Sequence, residues 1–186
     1  MAGLYIHVPF CKAKCTYCDF NSYPHLHELL GPYYKALLTE LDRVLTLGSR
    51  DIETAYIGGG TPSTLPTDML VHLMSRLRAH GLKPHEVTLE ANPDTLSLEQ
   101  LSAYRKAGVN RISLGVQSLH DTELHLLGRT HDSDTALRSI QLVRGAGFDN
   151  LNVDLIFGIP GQSMTAWQET LGRVLRMAPE HIALYA

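Results

Sequence analysis

Cys11, Cys15 and Cys18 lie within the eight-residue segment CKAKCTYC, and the chain has no other cysteine. An odd, tightly clustered set is a poor disulfide framework and more often holds metal or does redox chemistry. Three thiolates suit an iron–sulfur cluster, whose irons are held by cysteine sulfur. A cubane has four irons, so three ligands leave one iron open to a small molecule, such as the amino and carboxylate groups of a methionine. Zinc is the alternative. It would recruit a fourth cysteine or histidine, and His7 and His25 are near in sequence. Burial of the cysteines as small hydrophobes conflicts with Lys12, Lys14 and Thr16 between them.

Other residues point to a bound ligand. Gly58-Gly59-Gly60-Thr61-Pro62 offers backbone without Cβ, which a ligand can approach closely and whose N–H groups can meet a carboxylate. Glu90 can accept hydrogen bonds from a ribose or an ammonium, or stand as a solvated rim carboxylate. Asp154 lies inside the apolar run NVDLIF, where an unpaired carboxylate is costly and a polar partner or ligand hydroxyl must be near. Arg129, after the leucine-rich LHLLGRT, is either a bidentate carboxylate clamp or a surface charge. Histidines 27, 72, 80, 85, 120, 125 and 131 share no metal-ligand spacing, so solvated or structural roles are the default.

The elements that must position these residues alternate. Strands are expected at Leu4–Val8, Thr54–Ile57, Val87–Ala91, Arg111–Val116, Leu151–Phe157 and His181–Tyr185. Helices are expected at Tyr33–Leu47 (stopped by Gly48), from Thr67 as N-cap to Ala79, from the Ser97 cap to Ala107, and at Asp134–Arg144 and Thr165–Met177. Six strands alternating with helices imply a parallel α/β sheet, doubly wound or barrel-like. A closed eightfold barrel needs ~250 residues. The 186-residue chain, ending after its sixth strand, therefore reads as a partial (β/α)6 TIM-like barrel in one domain, 1–186. In such folds chemistry sits beyond the carboxyl ends of the strands. The cysteine loop, the glycine triplet, Glu90, Gln117 and Asp154 all fall there.

Composition excludes some functions. Sixteen Lys plus Arg against nineteen Asp plus Glu gives a net charge of −3, which argues against a basic nucleic-acid face. No run approaches the ~18 apolar residues of a membrane span. The amino terminus lacks a secretion or transit pattern, so a cytoplasmic location is expected.

As a set, YIHVPFCKAKCTYCDF, GGGTPS, LEANPDTL, RISLGVQSL, LLGRTH and NVDLIFGIPGQ resemble the radical S-adenosylmethionine (SAM) superfamily. The similarity is to the branch containing oxygen-independent coproporphyrinogen III dehydrogenase (HemN) and the haem chaperone HemW. The resemblance implies a [4Fe-4S] cluster on Cys11, Cys15 and Cys18 with SAM on the open iron. It implies SAM-side positions at Tyr5, Gly59, Gly60, Thr61, Glu90, Gln117, Arg129 and Asp154. Glu90 and Asp154 fall on the ribose side and Arg129 near the carboxylate. The dehydrogenases have a further cysteine two positions after the third cluster ligand, where this chain has Phe20. Cys-Asp-Phe resembles the haem-chaperone branch. That implies haem or porphyrin as cargo, haem-accepting membrane proteins as partners and peripheral membrane association. It also implies an electron donor such as flavodoxin or ferredoxin. The alternatives are a radical SAM coproporphyrinogen dehydrogenase and a zinc-stabilised domain without catalysis. The family continues into a C-terminal region beyond the sixth strand, which this chain lacks.

Overall fold

Along each strand, apolar and polar side chains alternate. Ile6 and Val8, Ala55 and Ile57, Val87 and Leu89, Ile112 and Leu114, and Val153 and Leu155 are buried in one core with the helices. The residues between them include Tyr5 and His7, Tyr56, Glu90, Ser113, and Asn152 and Asp154. Side chains two apart share a sheet face, so the polar set lines the opposite face. A parallel sheet covered on both sides would read as a continuous apolar run. Alternation therefore means that helices cover one face only.

The computed structural model of the protein describes residues 2–47 and 51–186. Strands β1 (Ala2–Val8), β2 (Ile52–Gly59), β3 (Glu86–Ala91), β4 (Arg111–Gln117), β5 (Leu151–Ile156) and β6 (His181–Tyr185) lie side by side in that order. All neighbours are parallel. An order without reversal has no switch point, so the sheet is singly wound like part of a barrel and not doubly wound. Among the described residues β1 and β6 are the two edges of the sheet and do not pair with each other, so the partial barrel is open.

The connecting helices are α1 (Leu30–Leu47), α2 (Thr67–Ala79), α3 (Leu98–Ala107), α4 (Asp121–Leu126), α5 (Ser133–Gly145) and α6 (Met164–Arg176). Ser97 caps α3 by accepting from Gln100 N at 3.2 Å. Gly108 ends it with φ +103°, a conformation favouring glycine. The expected N-cap Thr67 is instead the first residue of α2. The Pro66 carbonyl accepts from Met69 N and Leu70 N, and this makes Pro66 the cap. The short α4 was not anticipated, because six residues are too few for a helical period to show. Gly58 and Gly59 belong to β2, and β5 ends at Ile156 rather than Phe157. Gly48 lies outside the described residues. Among those described, no helix is long and apolar enough to cross a membrane.

Candidate functional site

The carboxyl ends of the strands open into one cleft of about 580 Å³. Ten of the eleven residues singled out from sequence line it: the three cysteines, Gly59, Gly60, Thr61, Glu90, Gln117, Arg129 and Asp154. Tyr5 is not among the lining residues. It stands on the edge strand β1, stacks on the cleft residue Tyr56, and its hydroxyl lies 3.0 Å from His7 Nδ1.

The cysteine loop follows β1. All three cysteines are free thiols, with Cys11 buried and Cys15 and Cys18 half-buried. Polar residues between them pin the loop. Lys12 Nζ donates to the Asp94 carbonyl at 2.8 Å, Lys14 Nζ to the Phe20 carbonyl at 2.7 Å, and Thr16 Oγ1 to the Leu126 carbonyl at 3.0 Å. Gly60 packs beneath Cys11: a Cβ there would come within 2.8 Å of Cys11 Sγ and 2.7 Å of the Phe10 carbonyl. Gly59 has φ +123°, and a Cβ would meet the His7 ring at 2.8 Å. His7 is a poor fourth zinc ligand because both ring nitrogens are engaged, Nε2 at 2.9 Å from the Asn21 carbonyl and Nδ1 by Tyr5. Among the described residues, no three Cys, His, Asp or Glu side chains are gathered into a ready metal-holding group. The thiols share a cleft without converging on a point.

Arg129 is not a surface charge. It reaches across the cleft and donates through Nη2 to Asn92 Oδ1 and to the Gly115 carbonyl, both at 2.7 Å. Its Nη1 lies 3.6 Å from Cys15 Sγ and 3.3 Å from the Tyr17 hydroxyl. The buried Nε has no partner. An orphaned buried guanidinium donor is costly and suits a carboxylate. Gln117 ends β4 with φ +67°, at the register irregularity between β4 and β5. This bulge-like turn aims its side chain back over Gly115, where a Cβ would lie 3.0 Å from Gln117 Nε2.

Nor is Glu90 a solvated rim carboxylate. It accepts from the Tyr56 hydroxyl at 2.7 Å and from Gly59 N at 3.0 Å. Burial raises its pKa, against the opposing pull of those two bonds. Asp154 accepts from Asn152 Nδ2 at 2.6 Å and from Ser113 Oγ at 3.5 Å. It too is raised by burial. Burial pushes the Tyr17 hydroxyl up to about 12, outweighing the nearby Arg129 charge. Ile156, Ile159 and Leu127 form a small apolar cluster along the other wall of the cleft. Asn92, Tyr17, Tyr56, Ser113 and Asn152 also stand at or beside the cleft and are not among the residues expected from the sequence. The structure-breaking Asn92-Pro93 pair at the end of β3 was the one visible signal.

A singly wound, parallel six-stranded partial barrel, with three cysteines in the loop after β1 and a polar cleft over the strand ends, defines a class. The chain belongs to the radical SAM superfamily, whose family description matches residues 5–174. Membership implies a [4Fe-4S] cluster and SAM. Among characterised relatives, the chain is similar to the haem chaperone HemW of Bacillus subtilis (strain 168), 39% identical over 191 residues covering 100% of this chain and 50% of the relative. It is 40% identical to HemW of Escherichia coli (strain K12), across 98% of this chain and 50% of that one. Among solved structures, coproporphyrinogen III oxidase (HemN) of Escherichia coli, described as a radical SAM enzyme, superposes with a TM-score of 0.87 at 30% identity. The match covers 99% of this chain and 44% of that one. The chain thus spans about half the length of these relatives.

Proposed function

We propose that the cleft holds a [4Fe-4S] cluster on Cys11, Cys15 and Cys18 with SAM beside it, and that the protein is a haem chaperone. The residues fit such groups. Three free thiols line the cleft, Gly60 lets Cys11 pack close against the turn after β2, and Arg129 Nε lacks a partner. When bound, the cluster supplies an iron with an open coordination position and a low-potential electron.

The chain's own residues then have separate tasks. Arg129 Nε meets the carboxylate of the methionine end. Gly59, Gly60 and Thr61 line the cleft at that end, where Gly59 and Gly60 let the His7 ring and Cys11 pack against the turn. Glu90 and Asp154 accept from ribose hydroxyls, and Gln117 closes the site from the end of β4. Leu127, Ile156 and Ile159 exclude water from one side.

The observation that carries the chaperone reading is Phe20. It is exposed on the cleft rim, where the resembling dehydrogenases have a further cysteine. The HemW relatives at 39–40% identity support it. Haem or a related porphyrin is then cargo to be handed to haem-requiring proteins at the membrane. The electron that such a cluster would take up would come from a flavodoxin- or ferredoxin-like protein.

The overlay on the coproporphyrinogen oxidase favours a second reading, oxidative decarboxylation of coproporphyrinogen III. Anaerobically reconstituted protein incubated with SAM, reductant and coproporphyrinogen III separates the two by mass spectrometry. The chaperone reading expects no vinyl product, and stoichiometric haem uptake on titration. Multiple turnovers to protoporphyrinogen would overturn it.

A further inference from the structure

The hydrogen bonds on two of the three cysteine sulfurs meet at one side chain. Arg129 Nη2 donates to Asn92 Oδ1 at 2.7 Å, and Asn92 Nδ2 donates to Thr61 Oγ1 at 3.2 Å. Beyond them, Arg129 Nη1 lies 3.6 Å from Cys15 Sγ, and Thr61 Oγ1 lies 3.5 Å from Cys11 Sγ. The direction of each bond is fixed. Arginine carries donors only, so the Asn92 atom facing it must be the oxygen, and the amide nitrogen must face Thr61. The Thr61 oxygen therefore accepts, and its single proton is left for the Cys11 sulfur. Thr61 is buried, so water does not compete.

We propose that Asn92 is a positioning residue that holds a donor on each of these two sulfurs and so sets how readily the attached iron–sulfur group takes an electron. Hydrogen bonds to cysteine sulfur tune cluster potentials, and reduction adds negative charge that donors stabilise. The inference rests on the cluster assignment proposed above and concerns a residue assigned no role there.

The test is an EPR-monitored redox titration of the reconstituted full chain without SAM, so that neither SAM binding nor turnover enters the readout. Thr61→Val removes one donor without changing shape. It should lower the electron affinity about tenfold, or about 59 mV for a one-electron couple. Asn92→Asp keeps an acceptor for Arg129 but turns the Thr61 proton away from Cys11, and should lower it at least as much. If Asn92 acts through Thr61, the double variant sits where Asn92→Asp sits.

A wild-type potential in either single variant overturns the proposal, as does full additivity in the double. So does an Asn92→Asp protein that folds but takes up no iron while Thr61→Val loads normally, since that would place Asn92 in assembly. A wild-type chain that takes up no iron and sulfide would sink the proposed function as well. A loaded wild type with unmoved variants sinks only this inference.

Discussion

The two faces of the sheet are built for different purposes. On the helix-covered face, Leu89, Ile112, Leu114 and Val153 are fully buried and packed against apolar neighbours. Their burial stabilises the fold whether or not anything is bound. On the open face, Glu90, Asp154 and Arg129 are held among polar partners, and burial disfavours the charge on the two carboxyls. Two carboxyls are raised by burial, and one guanidinium nitrogen is buried without a partner. Such arrangements cluster at functional sites. One face carries stability, and the other gives some of it up for binding.

The comparison can be broken most readily at Leu89. Leu89→Ala should cost about 2–5 kcal/mol, read as a fall in the urea midpoint, with or without ligand. A loss below 1 kcal/mol would mean that this face is not the main store of stability.

His131 comes next. Its Nε2 lies 3.2 Å from the Val116 carbonyl, just before the bulge at Gln117, and its Nδ1 is buried without a partner. Burial, aided by the Arg129 charge, lowers its pKa from 6.5 to about 4. Between those values the unfolded chain binds more protons than the folded one, so stability falls as pH drops through this window. The loss should be on the order of 2–3 kcal/mol, and His131→Gln should remove most of it. Urea unfolding at pH 4.5 and 7 reads the difference.

On the open face the cost should appear in binding. Arg129→Lys keeps the charge and loses the planar fork. SAM affinity of the reconstituted protein should fall about 10- to 100-fold by calorimetry, or about 1.4–2.8 kcal/mol. An unchanged affinity would remove Arg129 from the site.

The smallest effect sharpens the contrast. A carboxyl with raised folded pKa contributes stability below its unfolded value and loses it as pH rises through the folded one. Asp154→Asn should therefore melt like the native chain near pH 4. At pH 8, ligand-free, it should melt about 2–4 °C higher. A lower melting temperature at pH 8 would mean that Asn152 and Ser113 fully satisfy the carboxylate.

Much of this division was legible in the chain. The six strands read from their apolar runs, and Glu90 and Asp154 read as polar residues at the strand ends where chemistry sits. The three cysteines and the glycine triplet marked the cleft by type and spacing. What escaped was long-range pairing. Asn92 meets Arg129 from 37 residues away, and Tyr17 meets it across 112. No local pattern encodes a partner at that separation. The helix α4 escaped because it is short, and the Thr67 cap was misread because the preceding Pro66 supplies the carbonyl that starts α2.

The central claim is that the open face holds an iron–sulfur cluster with one iron left for SAM. Anaerobic reconstitution of the full chain, with iron and acid-labile sulfide analysis and EPR of the reduced protein with and without SAM, tests it directly. The account expects about four irons and four sulfides per chain and a spectrum that SAM alters, both lost in Cys15→Ala. Zinc alone, or a cluster whose spectrum SAM leaves unchanged, would contradict it.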